Sequence, residues 1–448
     1  MLALLLVTGH DTMSEPATKA AICDVLVIGG GPAGATVGAL LARNGYQVTV
    51  IEKDRFPRFH IGESLLPVNL ELFEQLGVLD QVERIGMIKN AAQFDSMYHG
   101  RTQSFYFSGA LNRRHAHSYE VHRADLDQIL LDNCRSEGAT VLEETKVAAV
   151  SFEDTKRVHV VTRDKDGDTE WSARFIVDAS GRDTFMASRL KSKKPHAKHA
   201  SAAVYGHFDA VERLTGGDAG NISVFWFDHG WFWLIPLQDG VTSVGMVCWP
   251  YYLKSRKTDL DTFFSDSVAT CPPLAARMRH AKPTRPITAT GNYSYLSGNM
   301  TGDRYLMLGD AFAFIDPIFS SGVLLAMKSA FFGAETVDAC LRSPGNAVRL
   351  QRRFEKRVTR GLGSFTWLIF RMTNPVMRNL LMSPSNLFGI ESAVLAILAG
   401  DVHDNPQARR RMLLFKAIYY LSCLGSMRAA IGAYWNRRRL IRHESATF

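Results

Sequence analysis

Three glycines at a fixed spacing, Gly29-x-Gly31-x-x-Gly34, stand between a stretch that reads as a strand and one that reads as a helix. Gly29 permits a tight turn, Gly31 lets the backbone approach a pyrophosphate, and Gly34 allows helix and strand to pack closely. Pro32 and Ala33 lie within the same turn, where the helix N-terminus attracts phosphate charge. Glu52 ends a second strand about twenty positions on, where a carboxylate can accept hydrogen bonds from ribose hydroxyls, and Lys53 follows it. Glycine spacing alone is a weak signal. With both flanking elements and the acid in place it specifies a dinucleotide site, though it does not separate NAD from FAD.

Other residues carry chemistry further along. Asp178-Ala179-Ser180-Gly181-Arg182 ends one buried run, Gly309-Asp310 ends another, and Arg123 opens a helix in VHRADLD. Any single Gly-Asp is an ordinary turn; three such signals in order are not. Phe314-x-x-Pro317-x-x-Ser320-x-Gly322 runs into a helix predicted over about residues 322–341. The N–H groups at a helix start point outward with the positive end of the dipole, which makes a halide-sized anion site. An N-cap that also stabilises an anionic cofactor edge would need the same loop. Trp231, Trp233 and Ile235 alternate on one strand face, a pattern that core packing also produces. Lys89, in KNAAQF after RFHIGESLLP (58–67), donates hydrogen bonds and becomes a nucleophile where burial lowers its pKa, although most lysines are solvated. His60, His115 and His117 are candidate bases, but a lone histidine is more often structural.

These groups need a scaffold to hold them. Residues 23–52 read as strand, turn, helix and strand, with further helices near Val68–Leu76 and Ala124–Ser136. Segments 147–152, 158–162 and 169–174 suggest a hairpin sheet turning at Asp166-Gly167, followed by a separate buried strand over 175–178. The fold class is α/β (α+β overall). A Rossmann-like domain over 21–200 and 299–341 receives an inserted antiparallel sheet, the substrate domain, over 201–298. A helical region follows over 342–448, and residues 1–20 form a leader.

With 448 residues and 46% hydrophobic content the chain can bury a full core and does not read as disordered. Six scattered cysteines lack any C-x-x-C pair, which argues against structural zinc and for a reducing, cytoplasmic setting. MLALLLV lacks the basic start and length of a signal sequence, and no apolar run reaches the roughly 20 residues that a membrane span needs. From residue 346 onward 17 Lys and Arg face 5 Asp and Glu, so this end supplies the net charge of +8. Such a surface suits an acidic carrier protein or an anionic membrane face. No motif supports nucleic acid.

The motifs taken together resemble the flavin-dependent halogenases, within the p-hydroxybenzoate-hydroxylase-like FAD monooxygenase fold. The resemblance covers roughly residues 23–340. It rests above all on Trp231-x-Trp233-x-Ile235-Pro236 and on Phe314-x-x-Pro317-x-x-Ser320-x-Gly322. It implies FAD held by Gly29, Gly31, Pro32, Ala33, Gly34, Glu52, Lys53, Arg123, Asp178, Gly181, Gly309, Asp310, Gly322 and Val323. It also implies chloride or bromide on the N–H groups of Ser321 and Gly322. Trp231, Trp233 and Pro236 would part flavin from substrate, with Phe319 and Ser320 on the substrate side. Reduced flavin and oxygen would turn halide into hypohalous acid, which Lys89 passes to an electron-rich ring. Tryptophan-type members carry a Glu where this chain has Phe319, which favours the phenol- and pyrrole-acting branch and leaves any further acid or base unnamed. FADH2 would come from a separate flavin reductase, because no second fingerprint for NAD(P)H is present. The aromatic substrate would be free or tethered to a carrier protein. The rivals are an FAD monooxygenase or reductase of the same fold, and a membrane-docking flavoprotein without catalysis.

Overall fold

A computed structural model describes residues 20–112, 114–384, 390–403 and 405–445 of the chain. The expected leader over 1–20 lies outside them except for its last residue. Strand β1 (Ala21–Ile28) leads through helix α1 (Pro32–Arg43) into β2 (Val48–Ile51), which returns parallel to β1. Helix α2 (Pro67–Leu76) follows. A two-stranded ribbon is then made by β3 (Met87–Lys89) and the later β6 (Ser118–Glu120), on either side of β4 (Ala91–Ser96) and β5 (Arg101–Tyr106). Helix α3 (Arg123–Ser136) and β7 (Thr140–Leu142) extend the first sheet, since β7 pairs parallel with β2.

Strands β8 (Lys146–Ser151), β9 (Val158–Asp164) and β10 (Gly167–Asp178) come next. The hairpin strand and the buried strand expected over 169–178 are one element. β10 pairs antiparallel with β9 and parallel with β1, and its buried end also meets β15 (Tyr305–Met307). Its first four residues are exposed and its last four buried, so the change in burial along one strand looked like a break. The central order β15-β10-β1-β2-β7 is parallel throughout and covered by helices on its faces. That explains the continuous Val/Ile runs in β1 and β2.

A second sheet runs β11 (Ala202–Asp209), β14 (Thr242–Cys248), β13 (Gly230–Pro236), β12 (Ile222–Phe227), β4, β5. The first four of these strands lie in the interval expected for the inserted sheet. β4 and β5 do not; they join from residues 91–106 because β4 runs parallel to β12. β13 separates two cores by its alternation. Trp231, Trp233 and Ile235 belong to the main core, whereas Phe232 and Leu234 face a smaller core under the far side of the sheet.

Helix α4 (Gly322–Arg342) packs against α1, and α5 (Ala347–Ile369) packs on α4 and buries Phe354, Gly361, Phe365 and Leu368. Helices α6 (Pro375–Met382), α7 (Ile390–Leu398), α8 (Pro406–Gly425) and α9 (Met427–Ser445) complete the structure. The end of α7 reaches α2, where Val68 N–H donates to the Ala399 carbonyl at 3.1 Å. No helix of the described residues is long and apolar enough to cross a membrane.

Helix α1 meets the glycine turn very closely at Gly34. A Cβ there would stand 1.8 Å from the Gly29 carbonyl oxygen. Gly34→Ala is therefore expected to destabilise the protein by about 3 kcal/mol and to expel bound flavin, read by denaturant unfolding and by the visible absorbance of the purified protein.

Candidate active site

A cavity of about 1330 Å³ runs from the glycine turn to the inner face of the second sheet. That exceeds the 300–1,000 Å³ typical of one drug-sized ligand and suits a dinucleotide. At one end Gly29 holds φ at +99°, and its missing Cβ leaves room for the Ala179 carbonyl at 2.5 Å. Glu52 anchors the turn: its Oε2 accepts from Gly30 N–H at 2.7 Å and its Oε1 from Asp54 N–H at 2.9 Å. Each oxygen retains a lone pair for a ribose hydroxyl. A Cβ on Gly31 would meet only the Arg58 guanidinium, at 3.7 Å, and Cβ atoms on Gly181 and Gly322 would meet nothing within 4 Å. All three glycines line the cavity. Open space held by bare backbone beside an arginine is the cradle that FAD needs, and the residues present fit it.

Charge is fixed at the cavity wall by Asp127, a residue that the motifs do not point to. Its buried carboxylate accepts from Arg123 Nε at 2.9 Å and Nη2 at 3.1 Å, and from Arg58 Nη1 at 3.2 Å. Both arginines line the cavity, as do Pro32, Ala33, Lys53 and Asp310. Lys53 is half exposed and ion-paired with Asp183. Burial pushes the Asp310 carboxyl up to about 6 against the pull of Arg182 and Arg123. Arg58 was legible only as the first residue of RFHIGESLLP, and Asp127 only as the position one helical turn beyond Arg123.

Several expected cofactor residues act at one remove. Asp178 does not line the cavity. Its two oxygens accept from Ser180 N–H at 2.9 Å and Met186 N–H at 2.7 Å, so it shapes the turn that presents Gly181. Gly309 is held at φ +51°, with its N–H on Ser329 Oγ at 3.0 Å, and sets the direction of Asp310. Gly34 serves packing. Pro236 is buried at the end of β13 and, unlike Trp231 and Trp233, is not at the cavity wall. His60 lines the cavity, and burial with help from Arg123 holds its imidazole down at about 4. His115 pairs with Glu74 at 3.2 Å and His117 with Tyr119 at 3.2 Å, and neither lines the cavity.

Lys89 lies beyond the cavity. Its side chain is 1% exposed, and Nζ donates to Ser64 Oγ at 2.7 Å and to the Leu65 carbonyl at 2.9 Å. Burial lowers its pKa, opposed by Glu120, whose Oε1 stands 3.9 Å away. Beside the amine is a water-sized gap of about 10 Å³ lined by Phe94, Phe107, Phe319 and Leu398, among others. Ile222 and Ser320 line both this gap and the large cavity, so the two are neighbours through one wall. Trp231 and Trp233 border the cavity but not the gap. The residues standing between the two spaces are thus Ile222 and Ser320, and Ile222 carries no motif that would have marked it.

The loop before α4 is braced from below. Ser320 has φ +53°, and its N–H closes a turn on the Pro317 carbonyl at 2.8 Å. Ser321 then caps α4, leaving the N–H groups of Gly322 and Val323 at the helix start, both in the cavity wall. Asp316 meets His199 Nε2 at 2.9 Å, and the other ring nitrogen of His199 lies 2.6 Å from Arg437 of α9. Arg437 is half-buried, and desolvation brings its guanidinium down to about 10. The C-terminal helix therefore reaches the loop that carries Ser320, Ser321 and Gly322.

Replacing Arg58 with Met removes one cation beside Gly31 while Arg123 keeps Asp127 partnered. FAD affinity is expected to fall by tenfold or more, from the roughly 1.5 kcal/mol of a hydrogen bond to a charged group. Flavin fluorescence titration reads this directly; an unchanged Kd would place the pyrophosphate elsewhere.

Residues 22–360 match the family described as FAD binding domain. A flavin-dependent halogenase, gsfI, from Penicillium aethiopicum is 31% identical over 370 residues, which cover 77% of this chain and 69% of that protein. A chlorinase of Pseudomonas fluorescens named for 1H-pyrrole-2-carbonyl on a peptidyl-carrier protein is 28% identical over 407 residues, covering 85% of this chain and 90% of its own length. Among solved structures, the myxobacterial chondrochloren halogenase CndH superposes with a TM-score of 0.75 at 30% identity, covering 90% of this chain and 97% of the other. A flavoprotein/dehydrogenase from Cytophaga hutchinsonii gives 0.83 at 27% identity, covering 90% of this chain and all of the other. A glycine-bared dinucleotide cavity within this fold, joined to these similarities, makes the chain a member of the flavin-dependent halogenase family, an FAD-dependent halogenating enzyme.

Proposed function

We propose that this halogenase places chlorine or bromine on a phenol- or pyrrole-like ring, and that Lys89 presents the halogen. The observation that carries this reading is an ammonium-bearing side chain buried to 1% exposure, next to a gap that shares Ile222 and Ser320 with the cofactor cavity. When bound, FAD in its reduced state supplies the oxidation of halide by oxygen to hypohalous acid. The remaining work falls to the chain. The N–H groups of Ser321 and Gly322 hold the halide at the helix start, and Trp231 and Trp233 keep one side of the cavity apolar. Lys89 receives the small neutral oxidant with its nitrogen already fixed by Ser64 and Leu65. Room for a ring beside it requires Phe319, Phe94 or Leu398 to move. Phe319, where a carboxylate would serve an indole, favours phenols and pyrroles.

A flavin reductase delivers the reduced cofactor in this reading. The substrate is tethered to a carrier protein, as in the name of the Pseudomonas relative, and in this reading that carrier is acidic. Exposed Arg409, Arg410, Arg428, Arg438 and Arg439 on α8 and α9 offer the complementary charge. Six free cysteines agree with a reducing cytoplasm.

Purified protein with a flavin reductase, NADH, bromide or chloride, and a panel of phenols and pyrroles is expected to give products with a halogen isotope pattern by mass spectrometry. Lys89→Met should retain FAD absorbance and lose at least about 100-fold in halogenation. Undiminished halide incorporation would remove Lys89 from the reaction. A pyrrole on its carrier protein should also react faster than the free acid, and reversing the charge of Arg438 and Arg439 should erase that advantage. Equal rates on both forms would exclude the carrier.

A further inference from the structure

Lys89 is not alone in its burial. β3 and β6 pair antiparallel, with Met87 opposite Glu120 and Lys89 opposite Ser118. Residues two apart share a face, so Lys89 and Glu120 lie diagonally on the same side of the ribbon. An isolated bridge from Ser64 to Glu120 brings a hydroxyl between them. Lys89 Nζ to Ser64 Oγ is 2.7 Å, Ser64 Oγ to Glu120 Oε1 is 3.2 Å, and the direct separation is 3.9 Å. Both end groups are out of water, at 1% and 0% exposure. Glu120 Oε2 is buried without a hydrogen-bond partner among the described residues, a position far less costly for a protonated carboxyl than for a carboxylate.

We infer that Ser64 and Glu120 form a proton relay for Lys89, with Glu120 holding the proton while the amine handles halogen. The inference rests on the reading of Lys89 given above. First, the ammonium passes a proton through Ser64 Oγ to Glu120, leaving a neutral amine and a neutral acid. The nitrogen lone pair then attacks the halogen of hypohalous acid. The N–X bond forms, the O–X bond breaks, and the departing oxygen takes one N–H proton to leave as water. Next the ring attacks the halogen, and the N–X electron pair stays on nitrogen, which takes the Glu120 proton back through Ser64. Finally the protonated ring gives its proton to the amine, restoring ammonium and carboxylate. The sum is hypohalous acid plus ring hydrogen giving halogenated ring plus water. A serine hydroxyl suits the middle place because it donates and accepts at once.

The groups that face Glu120 are Lys89 and Ser64, which favour its charged form, and Glu63, which opposes it. Burial outweighs them and raises the carboxyl to about 8. Glu63 is itself engaged by His207 Nε2 at 2.6 Å. Because the cycle starts from ammonium and carboxylate, Glu120 must first ionise, so the rate is expected to rise as pH passes about 8.

Cyanate tests this without turnover, because isocyanic acid is small, neutral and carbamylates only unprotonated amines. The holoenzyme with oxidised FAD is treated across a pH series, and modification at Lys89 is followed by peptide mass spectrometry. Glu120→Gln removes the negative partner of the ammonium, so the reactivity midpoint of Lys89 should move down by about one pH unit or more. Halogenation should fall about 100-fold and lose its rise with pH. Ser64→Ala keeps the charge of Glu120, so the midpoint should stay while halogenation falls about tenfold or more. Should Glu120→Gln fail to fold, Glu120→Asp is expected to give an intermediate midpoint and rate. A midpoint identical to wild type in Glu120→Gln, or no modification of Lys89 in the native protein, would overturn the relay. Lys89→Met keeps the two ideas apart. If that variant halogenates, the lysine reading fails; if it is inactive while Glu120→Gln and Ser64→Ala run at full rate, only the relay fails.

Discussion

Water must be kept from one amine, and much of the molecule is arranged around that constraint. A lysine buried to 1% exposure would be expelled from most cores, because desolvation penalises the ammonium heavily. Here it is retained by a short ribbon that puts a carboxylate on its diagonal and by a hydroxyl and a carbonyl within hydrogen-bond reach. Phe94, Phe107, Phe319 and Leu398 supply the dry walls. Those walls come from the second sheet, from the loop before α4 and from α7, so three separate parts of the chain must assemble before the amine is shielded.

The cofactor cavity follows the opposite logic, since it exposes backbone and fixed charge instead of hiding a side chain. Glycines stand where a Cβ would intrude, and Asp127 orients two arginines toward the space that an anionic cofactor fills. Rigid charge of this kind needs little reorganisation when a phosphate arrives. Ser320 then connects the two environments. It borders both spaces and sits in a left-handed conformation at the end of a turn braced by Asp316, His199 and Arg437. The basic C-terminal helix is thereby part of the scaffold of the active site as well as a charged surface.

Much of this was legible beforehand, unevenly. The glycine turn, Glu52, the helix from Gly322 and the alternation of Trp231, Trp233 and Ile235 are local patterns, set by residues a few positions apart. The continuous run of β10 was read as two strands because its burial changes midway. β4 and β5 were not anticipated as strands, because parallel pairing with β12 leaves no mark in either sequence. Asp178 and Gly309 carry the expected motif yet act by shaping turns, since a motif records a residue type and not which way its atoms face.

By itself the amino-acid order determined the nucleotide-binding turn, the class of cofactor through family likeness, and the lysine worth watching. Those are properties of short spacing, which backbone geometry reads directly. Only the tertiary structure decided that Glu120 and Ser64 meet Lys89, that Arg58 and Arg123 share Asp127, and that Arg437 supports the loop before α4. Apart from Arg123 and Asp127, one helical turn apart, such pairs lie 25 to over 200 positions apart, and what brings them together is the burial of whole sheets and helices, a sum over many weak contacts that no single residue announces.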